Sequence, residues 1–567
     1  MLNRIKRLPS FLSLSAFVAL FAIAGCGDDG GKASLNVQIL PVKAVQGIAG
    51  ASLEPLERAE IINFTVEGPG MKAASLAYRF HAQDGGELPR FDTGYDRQVT
   101  AELCSIKCDA EVPGDIVSRG RTVPTDMMKG DAKARDIFIS PVNSLVRPHQ
   151  RAEDGVSLRE SQIISANRLG ATVTQLDDGR LLIVGGAVKA EDATTWYMPG
   201  DIKAVYKDAE VYDPRTGEFS QLRGGGLNVG RAFHQAVKLG GPNNKDGRVL
   251  IMGGYIRDDG KTKVTNTIEI YNNVTETFEV VENVLPGNGR ALFTANLVGP
   301  DEGLILIVGG YCDPAPTSTD WLLYRFSGNS SGVIDHGWRG EYGEEQKLTQ
   351  IRYNHTMTMV PGYKGLENIH ALIIGGENSE GALKNTEVIS ISDNGNTIRV
   401  IPDYAGDLDL PAGARTLHSS VYWPNTGMIF VLGGFQGTKL QNATSHVEVF
   451  SVKDGHFHQS PGMFLSTARG GGSAALIDLQ GIYYAGGHTG NAPAVTTDLI
   501  ELSTICNEEG SSCYRTPAVV SDTVPNLEEA RAGLISFFDS TRRVLLLGGF
   551  SGTPKAPAPS PIIYNPK

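Results

Sequence analysis

The chain has 567 residues, 51 lysines and arginines against 63 aspartates and glutamates, and a net charge of −12. It is too long for one ordinary compact domain, and its 41% hydrophobic content excludes a disordered chain. Its basic residues are scattered rather than clustered on one face, so no nucleic-acid partner is expected. The 68 glycines follow no three-residue period and imply many tight turns.

Met1 to Gly25 reads as an export signal. Arg4, Lys6 and Arg7 precede the uncharged run FLSLSAFVALFAIAG, Phe11 to Gly25. As a helix that run reaches about 22 Å, short of the ~30 Å hydrocarbon core, so a cleaved leader fits better than a retained span. Ile23-Ala24-Gly25-Cys26 resembles a bacterial lipobox. The resemblance implies lipidation of Cys26, with the membrane as partner; an ordinary secretory leader with a chance cysteine is the alternative. Gly27 in place of an aspartate favours the outer membrane, facing periplasm or cell surface. Residues 26–34 then form the lipidated cysteine and a polar tether. In an oxidising compartment the close pairs Cys104 with Cys108 and Cys506 with Cys513 are disulfide candidates, and Cys312 is left over. A four-cysteine zinc site would require the two distant pairs to meet.

Residues 35–150 show short alternating runs (LNVQIL, IINFTVEG, SLAYRF, QVTAEL, DIFISPV) broken by turn residues, the pattern of a small antiparallel β-sandwich. Nothing there gathers a nucleophile with a base.

Residues 151–567 are periodic. An apolar run closing in Gly-Gly recurs seven times, ending at Gly186, Gly254, Gly310, Gly376, Gly434, Gly487 and Gly549. Arg168, Arg231, Arg290, Arg352, Arg415, Arg469 and Arg531 precede these runs at intervals of 54 to 63 residues. Such a beat marks an internal repeat of about four strands per unit, each needing neighbours to cover its apolar faces. The Gly-Gly after four apolar residues, Tyr212-Asp213-Pro214 and the spaced Phe219, Phe278 and Phe457 resemble Kelch repeats of the galactose oxidase-like kind. That resemblance implies an all-β chain: a seven-bladed Kelch-like β-propeller preceded by the sandwich. The last unit stops after IIYNPK, one strand short, and Val156 to Ile164 is expected to supply its fourth strand and close the ring.

Strand alternation places the arginines and the loops after Gly-Gly on one face. Glu210, Glu269, Glu387 and Glu448 stand where they can pair with an arginine, so Arg168, Arg231, Arg352, Arg415 and Arg469 are read as structural. Units three and seven lack a matching acid, which makes Arg290 and Arg531 ligand candidates. Trp196 and Tyr197, in the loop from Ala187 to Lys207, are expected to be exposed and available to stack on a ligand. His234, His355 and His418 follow Arg-x-x-His and are further ligand candidates; a shared metal ion is the less favoured reading of them. The resemblance to galactose oxidase brings a copper site with tyrosine ligands and a thioether-linked cysteine to mind, but no adjacent Tyr-His pair is present and the sequence gives no reason to expect Cys312 linked to a tyrosine ring. Gly328 to Gly332 reads Gly-x-Ser-x-Gly without a following helix, and His-Glu-x-x-His is absent. The chain is therefore expected to need no cofactor and to bind protein, peptide or glycan on the loop-rich face. The alternative is a propeller enzyme acting on carbohydrate, as a metal oxidase or a sugar mutarotase or lyase.

Overall fold

The computed structural model describes the chain apart from residues 1–18, 22–31, 34–36, 48–51, 58, 80–90, 106–115, 129–134, 164, 166–167, 242–245, 283, 302, 313–320, 328–329, 337–346, 396, 402–407, 459–462, 479–480, 507–512 and 553–559. The described residues are almost entirely strand and turn, with helix confined to three short 3-10 turns. Among them, no helix is long and apolar enough to cross a membrane.

The N-terminal sheet is one continuous path that folds over on itself. Arg135–Pro141 is the strand shared by its two halves: residues 135–139 run parallel to Val37–Pro41, while Ser140 and Pro141 pair with Ile116–Arg121. Val37, Ile39, Ile137 and Ile139 from one half meet Ile62, Phe64, Val66, Val99, Ala101 and Leu103 from the other in one buried core. The alternating runs thus make a sandwich-like layer pair as expected, but the parallel pair corrects the purely antiparallel reading. Ala19–Phe21, inside the expected export signal, runs antiparallel along Val37–Ile39.

Each Gly-Gly unit forms its own antiparallel sheet, with the strands of the first six in sequential order. In unit one these are Thr172–Gln175, Leu181–Val184, Ala209–Asp213 and Glu218–Gln221. The second strand of each unit is apolar because both its faces are covered. Leu182 and Val184 pack on Val249, Ile251 and Tyr271 of unit two, and Leu181 and Ile183 pack on Leu545 and Leu547 of unit seven. The first strands stand side by side around an axis, from Thr172–Gln175 through the units to Ala532–Phe538, which lies back against Thr172–Gln175.

The last sheet is completed from the N-terminal part of the chain, though not by the segment expected. Ile562–Asn565 pairs with Ser144–Val146 (Leu145 opposite Tyr564), and Gln46–Gly47 adds an outer edge. Leu158–Glu160 instead forms a separate hairpin with His149–Arg151. The reason lies in burial. Ser144, Leu145 and Val146 are all buried, whereas Arg159 and Glu160 are exposed charges that would lose hydration in that place.

The N-terminal sheet sits on the face opposite the arginines. Gln98 donates to the Ser540 carbonyl at 2.7 Å, in the turn between the first two strands of unit seven. Leu40, Val42 and Phe138 join the apolar core between units one and seven.

Candidate functional site: the arginine face

The two glycines that close each apolar run are forced by geometry. In unit one Gly185 and Gly186 have φ of 62° and 107°, and a Cβ on Gly185 would lie 2.3 Å from the Arg231 carbonyl oxygen. Only glycine fits both the conformation and the close approach. The second glycine then donates its N–H to the arginine carbonyl of the next unit: Gly186 to Arg231 at 2.9 Å, Gly254 to Arg290 at 2.8 Å, and so on through Gly487 to Arg531 at 2.9 Å. The series returns from Gly549 to Arg168 at 3.4 Å. This bond recurs at every interface and links the units into a cycle.

The arginine side chains turn back into their own units. Arg231 donates Nη1 to the Gly253 carbonyl at 3.0 Å and Nη2 to Glu269 at 2.9 Å. Glu269 also accepts the backbone N–H groups of Asn228 and Val229 at 2.7 and 3.0 Å. One carboxylate therefore holds the guanidinium and the segment that leads into its own strand set. Arg168 with Glu210, Arg352 with Glu387 and Arg415 with Glu448 repeat the arrangement. Arg469 pairs with Asp498 at 2.7 Å, an acid the sequence reading missed. The signal was present, since Asp498 stands two residues before Ile500 as Glu210 stands before Tyr212.

Arg290 and Arg531 do not offer themselves to a ligand. Arg290 is 4% exposed and donates to the Gly309 carbonyl at 2.9 Å. Arg531 is fully buried, its nearest acid is Glu529 at 3.8 Å, and burial lowers its pKa to about 10.

The three histidines are interface packing, not a cluster. The Nε2 atoms of His234, His355 and His418 meet the hydroxyls of Thr172, Thr294 and Thr356 of the preceding units at 2.9, 2.9 and 3.0 Å. Their rings lie over the first glycine of those units; a Cβ on Gly185 would be 3.0 Å from His234 Cε1. Burial, followed by the neighbouring arginine, pulls His234 and His418 down to about 3 and His355 well below its ordinary value. Each imidazole occupies a different interface, so the three cannot share an ion.

The mouth of the ring is filled by the chain itself, which corrects the expectation of exposed aromatics. Trp196 is 2% and Tyr197 3% exposed. Trp196 lies over Gly471 and Gly533, where a Cβ would come within 2.4 and 3.4 Å of its indole, and packs near His488 and Phe550. The loop is braced internally: Ala190 N–H reaches the Asp201 carbonyl at 2.7 Å, and Asp201 accepts from the Met198 N–H at 3.0 Å and from the Thr195 hydroxyl.

On the far side of the mouth Glu377 is 2% exposed and accepts from Asn354 at 2.8 Å and Thr416 at 3.2 Å. Burial raises its pKa despite these donors, and burial together with Glu377 raises that of Tyr197. Tyr255, Tyr311 and Tyr353 continue the rim edge to face, with centroids 6.1 and 5.8 Å apart. Cys312 is a free, half-buried thiol that directly follows Tyr311 in the chain.

A galactose oxidase-like copper centre does not fit these residues. Of the histidines considered, only His488 stands at the mouth, brought down to about 4 by burial and Lys189. Among the described residues no three His, Cys, Asp or Glu side chains converge.

Beside the mouth an open cleft of about 530 Å³ is lined by polar groups, including Gln350, Asn378, Glu380, Lys384, Asn385 and Asp409. Lys384 and Asp409 pair across it at 2.7 Å. Of the cysteine pairs, Cys104 is disulfide-bonded, and Cys108 lies outside the described residues. Cys506 and Cys513 face each other in strand register, and Cys26 lies outside the described residues.

No family model and no curated protein matches the chain. Solved structures similar to it include that of YjhT, at 12% identity and a TM-score of 0.38, covering 63% of this chain and 99% of that one. Another is a fungal alcohol oxidase of the AA5 family in complex with copper, at 16% identity and a TM-score of 0.41, covering 71% of this chain and 75% of that one. The fold assignment rests on the chain's own strands and the cycle of hydrogen bonds.

Proposed function

We propose that the chain is a lipid-anchored envelope protein whose seven-bladed propeller binds a polar ligand, on protein, peptide or glycan, through the loop-rich face. The observation that carries this reading is the use of the mouth's ionic and imidazole groups. Arginines that could have served catalysis are absorbed within their own units and the histidines in packing between units, while the same face keeps an open polar cleft. Amide and carboxylate side chains such as Asn378, Asn385 and Asp409 suit hydroxyl and peptide groups, which need paired donors and acceptors. The placement of the N-terminal sheet on the opposite face supports an arrangement in which the anchor, attached through Cys26, leaves the cleft pointing away from the membrane.

The test is binding of the soluble fragment from Gly27 to a glycan array and to envelope extracts, repeated with Asn385→Ala and Asp409→Ala. Loss of about tenfold in affinity on either substitution is expected, as for removal of a hydrogen bond to a charged or polar group. Binding indifferent to both substitutions would overturn the reading.

A further inference from the structure

The fourth strand of unit five carries a pair of side chains that the repeat does not ask for. Phe457 pairs opposite Phe450 and His456 opposite Ser451, and the His458 N–H extends the ladder to the Val449 carbonyl at 2.9 Å. Phe457 is buried against Phe450, with ring centroids 5.0 Å apart. Strand alternation therefore turns His456 and His458 out together on the other face, and both are exposed. Phe219 and Phe278 take the equivalent place in units one and two, opposite Tyr212 and Tyr271. There the flanking positions hold Glu218 with Ser220 and Thr277 with Glu279. The fold needs the phenylalanine, whereas the two imidazoles are an addition of unit five.

Their geometry is that of a chelate. The ring centroids of His456 and His458 lie 6.4 Å apart. A divalent ion binds an imidazole nitrogen at about 2.1 Å, in line with the ring centre, so one ion reaches two rings whose centres are up to about 6.5 Å apart. His456 is also held in a suitable tautomer. Its Nδ1 lies 3.1 Å from the Phe457 carbonyl, which can only accept, so Nδ1 carries the proton and Nε2 keeps its lone pair for a ligand bond. Asp454, exposed on the turn two residues before His456, adds negative charge there while it accepts the Ser451 hydroxyl at 2.6 Å. Among the described residues no third His, Cys, Asp or Glu completes a set, so the remaining coordination positions fall to water.

We propose that His456 and His458 form a surface site for one borderline divalent cation, copper(II) ahead of nickel(II) and zinc(II), the order in which nitrogen ligands favour them. The site stands on the outer strand of unit five, apart from the polar cleft, and does not depend on the binding function proposed for that cleft.

The test loads the full-length chain, purified in detergent and without a histidine tag, with copper(II) chloride by equilibrium dialysis. About one ion per chain is expected at saturation. His456→Ala and His458→Ala should each weaken binding about tenfold or more, because the surviving imidazole loses the gain of a second donor on the same scaffold. Both rings are exposed, so each variant should melt at the temperature of the native chain. Pulsed electron paramagnetic resonance of the native chain at one equivalent of copper gives a readout that needs no variant, and should show two coordinated imidazoles. Copper affinity unchanged in both variants, a spectrum with one imidazole or none, or tighter binding of zinc(II) than of copper(II) would overturn the proposal.

Discussion

His234, His355 and His418 show how a residue that reads as chemistry can be packing. Each exchanges a hydrogen bond with a threonine next door and lies against a glycine that has no Cβ to obstruct it. This makes the fold acid-sensitive with a defined sign. The folded pKa values lie below the free value of 6.5, at about 3 for His234 and His418, so the unfolded chain gains protons that the folded chain refuses. The contribution is present above pH 6.5 and is lost as pH falls toward 3, by about 1.4 kcal/mol per pH unit for each histidine. Glu377 and Glu448, raised by burial, act in the opposite sense: their contribution is full below the ordinary carboxylate range and declines as pH rises through their folded values. Urea unfolding between pH 7 and 5 should show the histidine slope, and His355→Gln should reduce it by one proton. At the glycines, Gly375→Ala should destabilise by about 3 kcal/mol or more, since φ is 53° and the new Cβ would meet the Arg415 carbonyl at 2.6 Å. Thermal melts would measure it.

At the scale of the element, the repeating device is arginine, carboxylate and Gly-Gly bend acting together. The carboxylate gathers the guanidinium and the backbone N–H groups that lead into the unit, so removing it strands a buried cation. Glu269→Ala should therefore cost about 3–5 kcal/mol, far more than removing an exposed pair such as Lys203 with Glu191. Denaturant midpoints of the two variants decide the point. The arginine and the Gly-Gly bend were legible in the sequence because they recur in all seven units, whereas the carboxylate was legible only where a glutamate fills its place, in units one, two, four and five. The closing strand was not. Val156 to Ile164 has the better alternation, but Ser144–Val146 is the segment whose side chains can all be buried beside Tyr564. Three residues carry too little pattern to win that comparison without the partner in view. Leu145→Asp should accordingly lower the melting temperature sharply, while Arg159→Asp should leave it nearly unchanged.

For the molecule as a whole, the loop over the mouth marks where sequence reading stops. Trp196 and Tyr197 read as exposed because the residues that bury them, among them Gly471, Gly533 and Phe435, lie far along the chain and meet them only when the ring is assembled. Periodicity reports what each unit repeats and is silent on what one unit adds. The ring also explains why the N-terminal part cannot be treated as a spacer alone: it supplies Ser144–Val146 and Gln46–Gly47 to the last sheet and packs Leu40 and Phe138 against units one and seven.

The central claim, a ring closed by pairing its C-terminal strand with an N-terminal one, is tested most directly by comparing thermal unfolding of residues 27–567 with that of residues 152–567. The longer chain should unfold in one cooperative transition, and the shorter one should melt well below it or aggregate, with Ile562–Asn565 left as an open edge. Equal melting temperatures and equal cooperativity in the two would contradict the account.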